Sequence, residues 1–201
     1  MTVIGITGPS GAGKGALSKV LNEKYGFPVI DADNVYHSLV SSPSDCLDEI
    51  KANFGEKVIN ESGALDRRVL GKLVLGEENR SKLELLNQIT HKYVVDEIKK
   101  AVETYRSFNL IACIIDAPLL IEAGLCEECD LTLSVLANKE KRVERISLRD
   151  SISIFDAEKR IESQKDDVFY IQNTDYTLNN DSDIDSLLSS AIRILSERRV
   201  I

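Results

Sequence analysis

The chain has 201 residues, of which 43% are hydrophobic and 29% charged, with a formal net charge of -8. That is enough for one domain with a full core and is an ordinary globular composition. The acidic balance speaks against non-specific nucleic-acid binding, and the lack of a leader-like start or of an apolar run of about 18 residues speaks against a membrane span and for the cytoplasm.

Val3-Ile4-Gly5-Ile6 reads as a buried strand, and Ala16 to Leu21 as an amphipathic helix. Between them lies Gly8-Pro9-Ser10-Gly11-Ala12-Gly13-Lys14. Strand, glycine-rich turn and helix in that order make a phosphate-binding loop. Glycines let successive N–H groups converge on an anion, and the helix adds its positive N-terminal end. Lys14 supplies a point charge for the outer phosphates. The expected nucleotide contacts are Gly8, Ser10, Gly11, Ala12, Gly13, Lys14, Gly15 and Ala16. The G-x-x-x-x-G-K-[ST] pattern fails only at its last position, where Gly15 replaces a hydroxyl that would ligand Mg²⁺, and Ala16 cannot supply one. The metal is therefore expected to be held through water, by carboxylates and by the nucleotide itself.

Tyr25-Gly26-Phe27-Pro28 stops the helix, and Pro28-Val29-Ile30 is a short strand ending in Asp31-Ala32-Asp33. Carboxylates at that edge of a sheet can hold a metal-bound water or accept the proton of an attacking hydroxyl. Asp33 also reads as the cap of a helix over 34–40. Residues 34–106 then read as nearly all helix, without a strand signal. Phe54-Gly55 stops one helix, and Asp66 caps another that runs through Leu70. Leu83, Leu85, Leu86 and Ile89 make an apolar face, and a further helix over 93–105 turns Val94, Val95, Ile98 and Val102 inward. An insertion of this kind is a usual place for a second substrate.

Leu110 to Asp116 is an apolar strand ending in an acid, the usual partner of a Mg²⁺-bound water beside a phosphate-binding loop. Ala117 to Gly124 turns away, and 131–136 is the next strand. In the charged helix from Lys139 to Arg149, Arg142, Arg145 and Arg149 share one face. With the helix over 153–164, started by a capping box of Ser153 and Asp156, this suggests a lid that clamps a polyphosphate. A short strand at 176–178 and a helix over 184–199 close the chain. The spacing Cys126-Glu-Glu-Cys129 fits a redox or zinc pair, but no second ligand pair accompanies it, and free thiols are the simpler reading for Cys46, Cys113, Cys126 and Cys129.

Several separated stretches together resemble the dephospho-CoA kinase family. They are Ile6 to Lys14, Val29 to Asp33, Gly63 to Gly71, His91, and Ala117 to Leu125. Arg145, Arg149-Asp150, Ala157, Arg160-Ile161, Gln164, Asp175-Tyr176 and Asn180 continue the likeness. It covers nearly the whole chain in one order. The departures are Gly15 for the family's Ser or Thr, His37 where an Arg is common, and Lys92 where Pro usually follows the His.

The resemblance implies an α/β P-loop kinase of three layers, a parallel sheet flanked by helices. It has a single domain over 1–201, with a core at about 1–33, 107–147 and 174–201, a helical acceptor-binding region at about 34–106 and a lid at about 148–173. It implies phosphorylation of the ribose 3′-hydroxyl of dephospho-CoA by ATP with Mg²⁺, the last step of coenzyme A formation, by a monomer or weak homo-oligomer. Asp33 would be the general base, and Lys14 with the loop amides would hold the ATP phosphates. Arg145 and Arg149 would reach those phosphates from the lid. Arg67, His91 and Glu122 would line the acceptor pocket, and Asp116 with Asp33 would serve the metal. The loop also resembles that of cytidylate kinase and other nucleoside monophosphate kinases. Those phosphorylate a phosphate and need no general base. A nucleotide-dependent switch is a reading of a different class, but no Asn-Lys-x-Asp guanine motif is present.

Overall fold

The computed structural model describes residues 1–201, apart from the side chain of Glu77. Strands β1 (Thr2–Thr7), β2 (Val29–Asp31), β3 (Ala112–Asp116), β4 (Leu131–Leu136) and β5 (Tyr176–Asn179) form one parallel sheet in the order β2-β3-β1-β4-β5. Pairing sets Ile6 of β1 and Asp31 of β2 on either side of Asp116 of β3. The carboxyl ends of the three strands therefore finish side by side, where open α/β sheets bind ligands.

The chain divides into two compact units, Met1–Asp31 with Val102–Ile201, and Ala32–Ala101. The first holds the sheet with α1 (Lys14–Tyr25), α6 (Lys139–Asp150), α7 (Ile154–Glu162), α8 (Asp167–Asn173) and α9 (Ile184–Glu197). Ile4, Ile6, Ile114, Leu131, Leu133 and Val135 of the sheet pack with Leu17 and Leu21 of α1 and Leu187, Ala191 and Leu195 of α9. The alternate residues Val3, Cys113 and Ile115 are also fully buried, on the opposite face. Strands buried on both faces must be apolar throughout, which is why β3 reads as an unbroken run. Each such Leu or Ile contributes about 2 kcal/mol by burial. The strand starts at Ala112, two residues later than its apolar run, and Ile111 is 66% exposed.

The second unit holds α2 (Ala32–Ser41), α3 (Asp45–Phe54), α4 (Arg67–Val74) and most of α5 (Arg80–Ser107). Its core is built from Val40, Leu47, Ile50, Val58, Leu70, Leu86 and Ile89. Caps set the helix starts. Ser44 Oγ accepts from Leu47 N–H at 3.1 Å, and Asp66 Oδ1 accepts from Arg68 and Val69 N–H at 3.0 Å each. Gly55, at φ 90°, ends α3.

Four local expectations change. One helix, α5, replaces two segments, because no Gly or Pro interrupts 80–107. Its buried stripe runs Leu86, Ile89, Val94, Ile98, Val102, while Leu83 and Leu85 are 36% and 37% exposed. α2 begins at Ala32, so Asp33 lies inside the first turn rather than capping it. An isolated antiparallel bridge joins Ile59 and Leu65 in the region read as all helix, across a turn in which Asn60 Oδ1 accepts from Ser62 and Ala64 N–H. At the start of α7, Ser153 Oγ accepts from Asp156 N–H at 3.1 Å and donates to the Asp156 carboxylate at 2.6 Å. That hydroxyl–carboxylate contact takes the place of a capping box's return bond.

Candidate active site

The loop between β1 and α1 is held in one shape by its glycines. At Gly8, φ is 145° and a Cβ would lie 2.2 Å from the Val135 carbonyl oxygen; at Gly13, φ is 102° and a Cβ would lie 2.1 Å from Asn180 Nδ2. No other residue fits either position. Helix α1 has no side-chain cap and no acid in its first turn, so its N-terminal amides and dipole stay open to an anion.

Three consecutive carbonyls of the loop are gripped from outside. Ser10 O accepts from Arg142 Nε at 3.0 Å, Gly11 O from Arg145 Nη1 at 3.2 Å, and Ala12 O from Asn180 Nδ2 at 2.7 Å. Arg145 Nη2 also donates to Asn180 O at 3.0 Å. Ser10 N–H is held by Gln164 Oε1 and Ala12 N–H by Pro9 O, at 3.1 Å each, which leaves the amides of Gly11, Gly13, Lys14 and Gly15 for an anion nest. Arg145 is thus placed on the loop itself. Arg149 Nη2 donates to Ser10 Oγ at 3.3 Å and to Asp150 at 2.9 Å. The hydrogen bond from Arg149, with Arg160 alongside, holds the Asp150 carboxyl down at about 2. The sequence marks Arg142 only as one of a row of lid arginines, and Gln164 and Asn180 only as points of family likeness; it assigns none of the three to the loop. The arginine spacing and the family likeness at 164 and 180 were visible in the sequence, but neither signal names the loop as their partner.

Lys14 Nζ forms an ion pair with Asp116 Oδ1, with side-chain exposures of 17% and 6%. The two residues expected to serve phosphate and metal therefore neutralise each other. A Cβ at Gly15 would meet only Asp116 Oδ2, at 3.8 Å. Among the described residues no cluster of three or more His, Cys, Asp or Glu could hold a metal alone. One carboxylate beside a phosphate cradle suits Mg²⁺, which keeps its waters and takes further ligands from the nucleotide. The space at Gly15 gives a direct expectation. Gly15→Ser should keep kcat within about threefold, as a substitution without strain or clash. A steady-state assay showing a loss of about tenfold or more would mean that position 15 must be glycine.

In the helical unit, Asp33 is exposed in the first turn of α2, two residues past the end of β2. The exposed guanidinium of Arg67 lies over the Tyr36 ring at 5.6 Å, which brings it to the same helix as Asp33. His91 is half-buried on α5. Glu122 is exposed in the turn after β3, in the first unit, close enough to the buried Tyr170 to help raise its hydroxyl to about 12, burial being the larger cause.

The family model for dephospho-CoA kinase (CoaE) matches residues 2–186. The chain belongs to the dephospho-CoA kinase family. A dephospho-CoA kinase of Fusobacterium nucleatum is 37% identical over 191 residues, 95% of each chain. The crystal structure of TT1252 from Thermus thermophilus superposes with a TM-score of 0.77 at 26% identity, covering 98% of this chain and 97% of that one. A dephospho-CoA kinase from Campylobacter jejuni shares the fold, with a TM-score of 0.69 at 23% identity over 98% of this chain and 96% of its own. The sheet flanked by helices is thus the P-loop kinase fold.

As a dephospho-CoA kinase family member, the chain departs at positions whose surroundings are now visible. His37 is exposed, and its Nδ1 lies 2.7 Å from Ser41 Oγ one turn on. Lys92 sits within the unbroken α5 and keeps the N–H that a proline would remove. Its ammonium donates to Glu49 Oε2 at 3.2 Å, and Tyr93 donates to the same oxygen at 2.6 Å. Those bonds, Tyr93 first, lower the Glu49 carboxyl. All four cysteines are free thiols. Burial pushes Cys46 and Cys113 up to about 11, and raises Cys126 and Cys129 as well. Protonated thiols are poor nucleophiles and poor metal ligands. Among the described residues no helix is long and apolar enough to cross a membrane.

Proposed function

We propose that this chain transfers the γ-phosphoryl group of ATP to the ribose 3′-hydroxyl of dephospho-CoA, giving coenzyme A and ADP. The observation that carries this reading is the family match over residues 2–186, which takes in both the phosphate loop and the helical unit. A nucleoside monophosphate kinase would share the loop but not that whole-chain likeness.

Phosphoryl transfer asks the protein for alignment, charge neutralisation and exclusion of water rather than for covalent chemistry. The amides of Gly11, Gly13, Lys14 and Gly15 and the Lys14 ammonium receive the ATP phosphates, with Lys14 exchanging Asp116 for phosphate oxygen. Arg149, exposed at the end of α6, supplies a further cation toward them. Asp33 accepts the proton of the 3′-hydroxyl as it attacks. Arg67, His91 and Glu122 are assigned to the acceptor by the family likeness. Asp116 would hold Mg²⁺ through its waters, and the ion when bound neutralises charge on the outer phosphates. The compartment that suits four free thiols is the cytoplasm.

The product decides the matter. Phosphorus NMR of a reaction with ATP, Mg²⁺ and dephospho-CoA should show a new 3′-phosphomonoester growing in step with ADP. ADP and inorganic phosphate without that ester would make the chain a nucleotide hydrolase.

A further inference from the structure

Arg142 is only 6% exposed, yet no carboxylate lies within ion-pair distance of it among the described residues. Its Nε donates to Ser10 O at 3.0 Å and its Nη2 to Gln164 Oε1 at 2.8 Å. Gln164 Oε1 accepts a second bond, from Ser10 N–H at 3.1 Å. The Ser10 backbone is thus held on both sides, the Ser10–Gly11 peptide through its carbonyl by Arg142 and the Pro9–Ser10 peptide through its N–H by Gln164. The next residue packs against the α6 backbone, where a Cβ at Gly11 would come within 2.7 Å of Arg142 O. Gln164 lies just beyond the end of α7 at Glu162, where the α6–α7 hairpin returns toward α8. One amide oxygen therefore joins that return to the first turn of the phosphate loop.

We propose that Gln164, acting through Ser10 and Arg142, is a positioning residue for the ATP polyphosphate. It holds the Ser10 backbone so that the free amides after it converge on the phosphates. A buried guanidinium that touches no carboxylate depends on its neutral acceptors, so the loss of Gln164 Oε1 would free both Arg142 and the Ser10 N–H that fix the loop. ATP binding and the seating of the hairpin base are therefore linked through one side chain. The proposal rests on the ATP-using reading of the loop and is independent of the acceptor.

The test compares Gln164→Met, which keeps the shape and loses the acceptor, with Gln164→Glu, which keeps the acceptor. Binding of a non-hydrolysable ATP analogue with Mg²⁺ is measured by calorimetry without acceptor, beside the KM for each substrate and the ligand-free Tm. In the methionine variant, Kd for the analogue and KM for ATP should rise about tenfold, with KM for dephospho-CoA within about twofold of wild type. Its Tm should stay within about 3 °C, and the glutamate variant should bind within about threefold of wild type. A methionine variant that binds like wild type overturns the proposal, as does a glutamate variant no better than methionine. A fall in Tm with both KM values rising equally would make Gln164 merely structural. Wild-type protein that binds the analogue but ignores dephospho-CoA would overturn the acceptor assignment and leave this proposal standing.

Discussion

Lys14→Ala should lower kcat/KM for ATP by about a thousandfold, the scale of removing a charged donor aimed at the transferring group. The expectation comes from where Lys14 sits. It is the second residue after the last loop carbonyl gripped from outside, it opens α1, and its ammonium already reaches the end of β3 at Asp116. Removing it has a second effect. The Asp116 side chain is 6% exposed, so the substitution strands a buried carboxylate. Breaking one side of a buried pair costs about 3–5 kcal/mol, and the single variant could lose activity by unfolding. Lys14→Ala with Asp116→Ala removes both charges together. It should regain most of the lost Tm while staying inactive. Recovery of turnover in the double variant would show that neither Lys14 nor Asp116 serves the phosphates or the metal.

Asp33→Asn should lower kcat by about a hundredfold, the lower end of general-base contributions, with KM for ATP within about twofold of wild type. Asp33 is exposed, so the change should shift Tm by no more than about 3 °C. The rate of the wild type should also depend on one ionisation of an acid that the asparagine variant lacks. A variant that turns over at the wild-type rate, or whose pH profile matches the wild type's, would remove Asp33 from the proton transfer.

The strand–loop–helix at the start of the chain was legible because its signals are local. Apolar periodicity and glycine spacing are complete within about two dozen residues. The Asp66 cap and the Gly55 stop were legible for the same reason. Asp33 was misread as a cap because its neighbours alone cannot show that helical geometry begins at Ala32. What was not legible depends on pairing across the chain. Lys14 meets Asp116 102 residues away, Ser10 meets Gln164 154 residues away, and Ala12 meets Asn180 168 residues away. No periodicity encodes such partners, since the order of parallel strands decides them. The three arginines of α6 show this best. Their shared face was readable, but Arg142 and Arg145 turn out to hold the back of the loop, and only Arg149 stays exposed.

The most direct test of the central claim is ADP release by a coupled assay with ATP and Mg²⁺, offering dephospho-CoA or CMP as acceptor. The account predicts release that requires dephospho-CoA and ignores CMP. Release with CMP and none with dephospho-CoA would contradict it, and would leave the phosphate loop correctly read but attached to the wrong acceptor.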